Sequence, residues 1–161
     1  MCRHCCRRPA CFQLDVRKPP EVMPPTRIHH LNLVVHDLAD AMARFEKALG
    51  LDPFEVVDHQ PRGARAARTR IGESWLVLVS PYDPESVPGR YLAQHGEGFF
   101  LLSLGYEDFV QQLERLETSG VDLVDHRPRN GILDWRVADI GELHGANIQF
   151  TQDKPAEDEQ G

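Results

Sequence analysis

The stretch Arg27-Ile-His-His-Leu-Asn-Leu-Val-Val-His-Asp-Leu38 decides the fold. Residues 28–35 are β-branched, leucine or short polar residues, which suits a half-buried strand. Because successive side chains of a strand point to opposite faces, His30, Asn32 and Val34 share one face, and the other face is aliphatic. A histidine on such a face is either a ligand or a packed, hydrogen-bonded core residue.

A helix begins directly after this strand and is expected to cover its aliphatic face. Asp37 is a good N-cap, because its carboxylate can accept a hydrogen bond from a free N–H of the first turn. Apolar residues then recur at helical spacing, and Gly50 stands where a left-handed residue ends a helix. The spacing predicts a helix over residues 37–50.

Length and charge exclude several classes of protein. The 161-residue chain is long enough for one domain with a hydrophobic core. It contains no apolar run of the roughly 20 residues needed to cross a bilayer. The net charge of −7 argues against a general nucleic-acid binder, because phosphate contacts need clustered lysine and arginine. With its cysteines confined to the amino-terminal end, the body of the chain fits a reducing cytoplasm.

The two ends of the chain differ from its middle. Residues 1–26 are basic and rich in cysteine and proline, and residues 153–161 are acidic. We expect both ends to lie outside a single folded domain over residues 27–152. We expect residues 1–26 to form a disordered leader. The alternative is a zinc site, since this segment contains Cys2, His4, Cys5, Cys6 and Cys11.

The order strand, helix, three strands occurs twice, with an offset of about 70 residues. After the first strand and helix, strands are predicted over 54–58, 64–71 and 74–80. A short helix over 89–94 precedes the second half, which has a helix over 108–120, strands over 99–104, 121–125, 135–140 and 146–151, and a turn over 128–131. Periodicity therefore predicts an α+β domain of two βαβββ modules, about 27–81 and 97–152.

Several strings of residues resemble one known superfamily. They are His30-Leu31-Asn32-Leu33-Val34-Val35 before Asp37-Leu38, Gly72-Glu73 before a strand ending at Pro81, the segment 86–98, Arg127-Pro128-Arg129, and Val137-Ala138. Together they resemble the vicinal oxygen chelate superfamily of glyoxalase I, bleomycin-resistance proteins and extradiol dioxygenases. Within it, the methylmalonyl-CoA epimerases look most similar.

The resemblance implies a U-shaped mixed sheet around a central cup, with a divalent metal held by one inward side chain from each of four strands. Carried over residue by residue, these positions fall on His30, Val77, Leu101 and Gln149. Val77 and Leu101 are aliphatic and cannot coordinate a metal. We therefore expect neither a metal nor another cofactor, unless non-standard ligands complete the site.

The same alternation predicts the side chains that line the cup: His30, Asn32, Trp75, Val77, Phe99, Leu101, Ser103, Asn147 and Gln149. An apolar cup with a few convergent polar groups is typical of a small-molecule pocket. The alternative is a filled core, closed by Trp75 and Phe99. Arg68 is a candidate for holding an anion and Asp139 for a carboxylate in the cup, although both could equally be surface or edge charges.

These residues favour a metal-independent small-molecule-binding protein of the bleomycin-resistance kind. One alternative is an epimerase- or lyase-like enzyme in which His30 and Asp139 act as acid and base. Another is a metalloenzyme with non-standard ligands. The resemblance also implies a homodimer, and composition predicts a cytoplasmic protein without a nucleic-acid or membrane partner.

Overall fold

The computed structural model describes residues 23–154. Most of the leader, with its cysteines, and the tail from residue 155 lie outside the described residues. The first half comprises β1 (Arg27–Val34), α1 (Leu38–Leu49), β2 (Glu55–His59), a 3-10 helix (Gln60–Arg62), β3 (Ala64–Ile71) and β4 (Ser74–Pro81). After the connecting helix α2 (Val87–His95), the second half comprises β5 (Gly98–Gly105), α3 (Val110–Thr118), β6 (Arg129–Asn130), β7 (Trp135–Leu143) and β8 (Ala146–Asp153).

The described strands form one mixed sheet in the order β2-β3-β4-β1-β5-β8-β7-β6. Read outward from the centre of the sheet, the first half has the order β1, β4, β3, β2 and the second half the equivalent order β5, β8, β7, β6. In each half the first and last strands pair in parallel, β1 with β4 and β5 with β8, and the halves meet through the antiparallel pair β1–β5. The sheet curls into a half-barrel around a cup. The predicted α+β fold of two βαβββ modules is therefore confirmed.

Helix α1 begins and ends as its sequence predicts. Asp37 accepts a hydrogen bond from the Asp40 N–H at 3.0 Å, and Gly50 adopts φ 63° while its N–H donates to the Glu46 carbonyl. Helix α3 starts at Val110, later than predicted, and the Asp108 carboxylate just before it accepts a hydrogen bond from the Val110 N–H at 2.9 Å.

The predicted strand over 121–125 is wrong, and the predicted turn over 128–131 contains the short strand β6 instead. Asp125 explains the difference. Its N–H donates to the Asp139 carbonyl at 2.9 Å, but its carboxylate, not its own carbonyl, accepts from the Asp139 N–H at 2.8 Å. A side chain that takes the place of a backbone acceptor in this way ends a ladder after one contact.

The hydrophobic core falls into three clusters. One joins the two halves across the cup and contains Ala64, Ala66, Val77, Val79, Ile132, Trp135 and Val137. A second lies under α3 around Phe109 and Leu113, and a third lies around Phe100 and Leu101, where α2 packs. No helix among the described residues is long and apolar enough to span a membrane.

Candidate functional site

A cavity of about 210 Å³ lies inside the cup. Both halves of the chain and helix α2 contribute to its wall. The residues that line it are His30, Asn32, His59, Arg62, Ala64, Ala66, Val77, Val79, Val87, Pro88, Phe100, Leu101, Val124, Arg129, Gly131, Ile132, Trp135, Val137, Asp139, Gly141, Asn147, Ile148 and Gln149. Of the predicted cup residues, the structure brings His30, Asn32, Val77, Leu101, Asn147 and Gln149 together here, with Asp139 beside them.

One end of the cup is filled rather than hollow. Trp75 is half-buried and lies edge-on to Trp135, with ring centroids 5.9 Å apart. The Arg68 guanidinium lies over both rings, 4.4 Å from Trp75 and 5.0 Å from Trp135. The expectation that Trp75 lines an open cup is therefore wrong, because Trp75 and Arg68 close this end against each other.

Arg68 has its charge satisfied within the protein. Its Nε donates to Glu55 at 2.9 Å, and one terminal nitrogen donates to Asp134 at 3.1 Å. Its side chain is only 9% exposed. A guanidinium that already stacks on two indoles and bonds two carboxylates is not free to hold an anion in the cavity.

Phe99 lies outside the cavity, contrary to prediction, and Phe100 takes its place. In the pairing of β5 with β1, Leu101 lies opposite Asn32 and Phe99 opposite Leu33, so Phe100 is an extra residue. Such a β-bulge re-aims the side chains around it. As a result Phe99 is 39% exposed, whereas Phe100 and Leu101 both line the cavity.

Ser103 also lies outside the cavity. It is fully buried in the sheet between β5 and β8, within hydrogen-bond distance of Thr151 Oγ1 and, at 3.4 Å, of the Gln149 carbonyl. Strand alternation placed it on the correct face, but its neighbours cover it. Its hydroxyl therefore connects two strands and does not face the cavity.

A second bulge brings two imidazoles together. Ile28 pairs with Leu104 and His30 with Ser103, so His29 is the extra residue of β1. Both histidines are buried, and their Nδ1 atoms lie 2.9 Å apart. His30 stacks on Trp135 with ring centroids 4.6 Å apart and an interplanar angle of 13°.

The two histidines are kept neutral by their surroundings. Burial lowers the pKa of His30 well below its ordinary value, and the neighbouring His29 lowers it further, whereas contact with Gln149 raises it. Burial also lowers the pKa of His29, although Asp153, 3.1 Å from His29 Nε2, opposes that shift. A neutral imidazole has one donor and one acceptor nitrogen.

Asp139 lies at the centre of a polar network at the other end of the cavity. Its Oδ1 accepts from Gln149 at 2.6 Å. Its Oδ2 forms ion pairs with Arg62, from the first half, and with Arg129, at 2.7 Å. Arg129 also donates to Asp125 at 2.8 Å, and burial raises the pKa of that carboxyl. Two arginines face two aspartates, so the network is close to neutral when all four are ionised.

Buried polar atoms without partners remain in the cavity wall. Within the part of the chain that the structure describes, Asn32 Oδ1 and Trp135 Nε1 have no hydrogen-bond partner. The Asn147 amide, in contrast, donates to the Phe100 carbonyl at 2.8 Å. Leaving a buried polar atom unpaired costs about 1–3 kcal/mol, so the wall retains unused hydrogen-bonding capacity.

The donor set does not fit a divalent metal. Val77 and Leu101 both line the cavity and offer no lone pair, while the Gln149 amide nitrogen is bonded to Asp139. Across residues 23–154, no three histidine, cysteine, aspartate or glutamate side chains lie close enough together to hold a metal ion. A site with one imidazole and one amide falls short of what zinc or magnesium requires.

Sequence reasoning missed several residues of the cavity wall and one residue behind it. His29 does not line the cavity but contacts His30, and it would face the opposite side in a regular strand. Arg62 lies between two predicted strands and Arg129 in the predicted turn over 128–131, yet both meet at Asp139. His59, whose pKa is lowered by burial and by the charge of Arg62, ends β2 at the cavity wall. The consecutive histidines were the one local signal that could have drawn attention to His29.

The sequence and the fold match a known superfamily. The family model that describes the Glyoxalase/Bleomycin resistance protein/Dioxygenase superfamily matches residues 29–138 of the sequence. The chain belongs to this superfamily.

The chain is also similar to individual proteins. A solved methylmalonyl-CoA epimerase in complex with methylmalonyl-CoA and NH4+ has a TM-score of 0.76 at 25% identity, covering 82% of this chain and 100% of that chain. The Mycobacterium tuberculosis methylmalonyl-CoA epimerase has a TM-score of 0.75 at 25% identity, covering 81% of this chain and 90% of that one. The uncharacterized protein YqjC of Bacillus subtilis (strain 168) is 25% identical over 130 residues, which are 80% of this chain and 93% of that protein.

Proposed function

We propose that this protein binds a small, largely apolar molecule in the cup without a metal ion. The observation that carries the proposal is the cavity of about 210 Å³, whose wall combines aliphatic side chains with a few polar groups. Such a wall is the common composition of small-molecule sites. The aliphatic Val77 and Leu101 stand where the superfamily resemblance implies metal ligands, which supports binding without metal.

The size of the side chains supports a ligand pocket rather than incomplete packing. Ala64, Ala66 and Val79 are buried and line the cavity from β3 and β4. Protein interiors normally fill such spaces with larger residues, since a void forfeits contacts on one side. Small residues here keep the space open, and the unpartnered atoms of Asn32 and Trp135 offer hydrogen bonds beside it.

An epimerase-like enzyme is the second candidate, favoured by the TM-score of 0.76 to a methylmalonyl-CoA epimerase. Epimerisation next to a carbonyl needs groups that remove and return a proton. Asp139 is poorly suited to this task because Gln149, Arg62 and Arg129 already bond its two oxygens. His30 is neutral and lines the cavity, so it is the better candidate base.

Cavity filling tests the binding proposal. A panel of aromatic and aliphatic small molecules would be titrated into wild type, Ala66→Leu and Arg65→Leu, following tryptophan fluorescence. Ala66 lines the cavity, whereas the adjacent Arg65 is exposed and serves as the matched control. We expect binding to wild type and to Arg65→Leu and at least tenfold weaker binding to Ala66→Leu. Equal affinities for all three proteins would contradict a ligand in the cup.

Metal content and turnover separate the alternatives. Metal analysis of purified protein is expected to give less than one ion per chain, and stoichiometric metal would favour a metalloenzyme with non-standard ligands. Incubation with methylmalonyl-CoA in deuterated water would reveal exchange at the carbon next to the carbonyl. Exchange that disappears in His30→Ala would replace the binding proposal with the epimerase-like one.

We also propose a homodimer in the cytoplasm, as the superfamily resemblance and the composition imply. Light scattering coupled to size-exclusion chromatography tests the oligomeric state. A mass corresponding to one chain of 18.3 kDa would contradict the dimer.

A further inference from the structure

A chain of hydrogen-bonding groups runs from the surface to the cavity. Asp153 is half-exposed at the end of β8, and its Oδ1 lies 3.1 Å from Nε2 of the buried His29. The His29 Nδ1 then lies 2.9 Å from the Nδ1 of His30. His30 lines the cavity. Three side chains therefore connect solvent with the cavity wall.

These contacts determine which nitrogen of each imidazole ring carries the hydrogen. An ionised carboxylate only accepts hydrogen bonds, so His29 must donate to Asp153 through Nε2–H. A neutral His29 then has a lone pair on Nδ1, and His30 must donate to it through its own Nδ1–H. This leaves Nε2 of His30 as an acceptor without a hydrogen.

The surroundings favour the Nδ1–H tautomer of His30 over the Nε2–H tautomer. The reverse tautomer of His30 would require His29 to donate from both nitrogens, which means a positive charge on a fully buried ring. Burial lowers the pKa of His29 and opposes that charge. Burial works against the charge of Asp153, but the contacts with His29 and Arg27 outweigh it, so the pKa of Asp153 is lowered and the carboxylate stays ionised.

His30 offers this acceptor at the cavity wall, beside the Gln149 side chain, whose contact raises the pKa of His30. One face of the ring is covered by Trp135, and Nδ1 is taken by His29. The aliphatic side chains of Val77 and Leu101 line the same cavity. A buried acceptor in such a wall favours ligands that carry a hydrogen-bond donor. A ligand without a donor would leave the acceptor unpaired, which is costly.

We propose that the cavity selects an apolar molecule carrying a hydroxyl or N–H group, which donates a hydrogen bond to Nε2 of His30. His29 and Asp153 are positioning residues that hold His30 in the accepting tautomer. This inference rests on the proposed function and adds the chemical class of the ligand.

Nitrogen-15 NMR of the imidazole rings tests the assignment directly in wild-type protein. The two tautomers give different shifts for Nδ1 and Nε2, so the spectrum identifies which nitrogen of His30 carries the hydrogen. We expect Nδ1–H for His30 and Nε2–H for His29. A His30 ring with Nε2–H would overturn the inference whatever ligand binds.

Phenol and toluene are matched probes, since a hydroxyl in one replaces a methyl group in the other. Their dissociation constants would be measured for wild type, Asp153→Val and Arg27→Gln. Asp153→Val removes the acceptor for His29 and suits a strand, whereas Arg27→Gln removes the other ion pair of Asp153 and leaves that acceptor in place.

In Asp153→Val we expect phenol affinity to fall about threefold to tenfold, as for the loss of one hydrogen bond, and toluene affinity to stay within about twofold. Arg27→Gln should resemble wild type for both probes. Equal losses for both probes in Asp153→Val would indicate a structural effect and overturn the inference.

The same measurement separates the inference from the proposed function. Binding of toluene to wild type without binding of phenol would overturn the donor class and leave a ligand cavity in place. Failure of both probes to bind wild type would count against the cavity as a ligand site, and the inference would fall with it.

Discussion

The two ends of the cup are built from the same strands, yet one is filled and the other is hollow. At the filled end, β3 and β4 place Arg68 and Trp75 against Trp135. At the hollow end the same two strands place Ala64, Ala66 and Val79. The difference teaches that side-chain volume along a strand, and not the backbone fold, decides which end of the cup is hollow.

The ends also differ in what holds them together. Rings and a stacked guanidinium fill one end, whereas Asp139 gathers Arg62, Arg129 and Gln149 at the other. Packing therefore stabilises the filled end, and a polar network shapes the hollow one. Substitutions in the two ends should therefore affect stability to different extents.

Opening the filled end should have the largest effect. Trp135 is 2% exposed and contacts His29, His30 and Trp75. Trp135→Ala is expected to lower the free energy of unfolding by about 3–5 kcal/mol, because it removes a large buried side chain and leaves a cavity. Urea denaturation followed by circular dichroism measures this loss. Trp75→Ala is the control, and because Trp75 is only half-buried its loss should be smaller.

Removing the centre of the polar network should have the next largest effect. Asp139→Ala leaves Arg62, Arg129 and Gln149 without their shared acceptor, and we expect a loss of about 2 kcal/mol in the free energy of unfolding. Asp40→Ala, which removes an exposed ion pair with Arg44 on α1, is the control and should cost less than about 1 kcal/mol. Equal losses in the two variants would mean that the network at Asp139 is not structurally important.

Local signals predicted the parts of the fold that depend on neighbouring residues. The β1 strand follows from the β-branched and leucine residues of 28–35, and helix α1 from Asp37 and Gly50. These features act within a few residues of chain, where capping chemistry and alternation apply. The predicted inward positions of Asn32, Val77 and Gln149 were correct for the same reason.

The wrong predictions of site residues arise where the alternation of side chains along a strand is interrupted, or where residues distant in sequence meet. A bulge at Phe100 moved Phe99 out of the cavity, and a bulge at His29 brought a second imidazole beside His30. Arg62 and Asp139 are 77 residues apart in sequence, so no local pattern could pair them. Arg68 was expected to hold an anion, but whether its charge is free depends on Asp134 in the other half.

Acid should destabilise the boundary between the two ends, where His30 stacks on Trp135 and also lines the cavity. Burial lowers the pKa of His30 in the folded state, so below about pH 6.5 the unfolded chain binds a proton that the folded one does not. The stability that His30 contributes is therefore complete above that pH and declines as the pH falls. Between pH 8 and pH 5.5 this one group should lower the free energy of unfolding by on the order of 1 kcal/mol.

Urea denaturation at several pH values measures this dependence. In His30→Asn the slope of stability against pH should become flatter by up to one proton, even if the variant is less stable overall. His36→Asn, at an exposed position, is the matched control and should keep the wild-type slope. An unchanged slope in His30→Asn would contradict a neutral, buried His30.

The smallest effect is expected from the ion pairs of the filled end. Glu55 and Asp134 bond Arg68 but are themselves 56% and 59% exposed, so solvent screens both pairs. Each of Glu55→Gln and Asp134→Asn should change the free energy of unfolding by less than about 1 kcal/mol. Arg68→Leu, which also removes the stacking on Trp75 and Trp135, should cost clearly more in the same urea titration. If the two carboxylate variants were as costly as Arg68→Leu, charge and not stacking would hold the filled end, and the contrast between the two ends would fail.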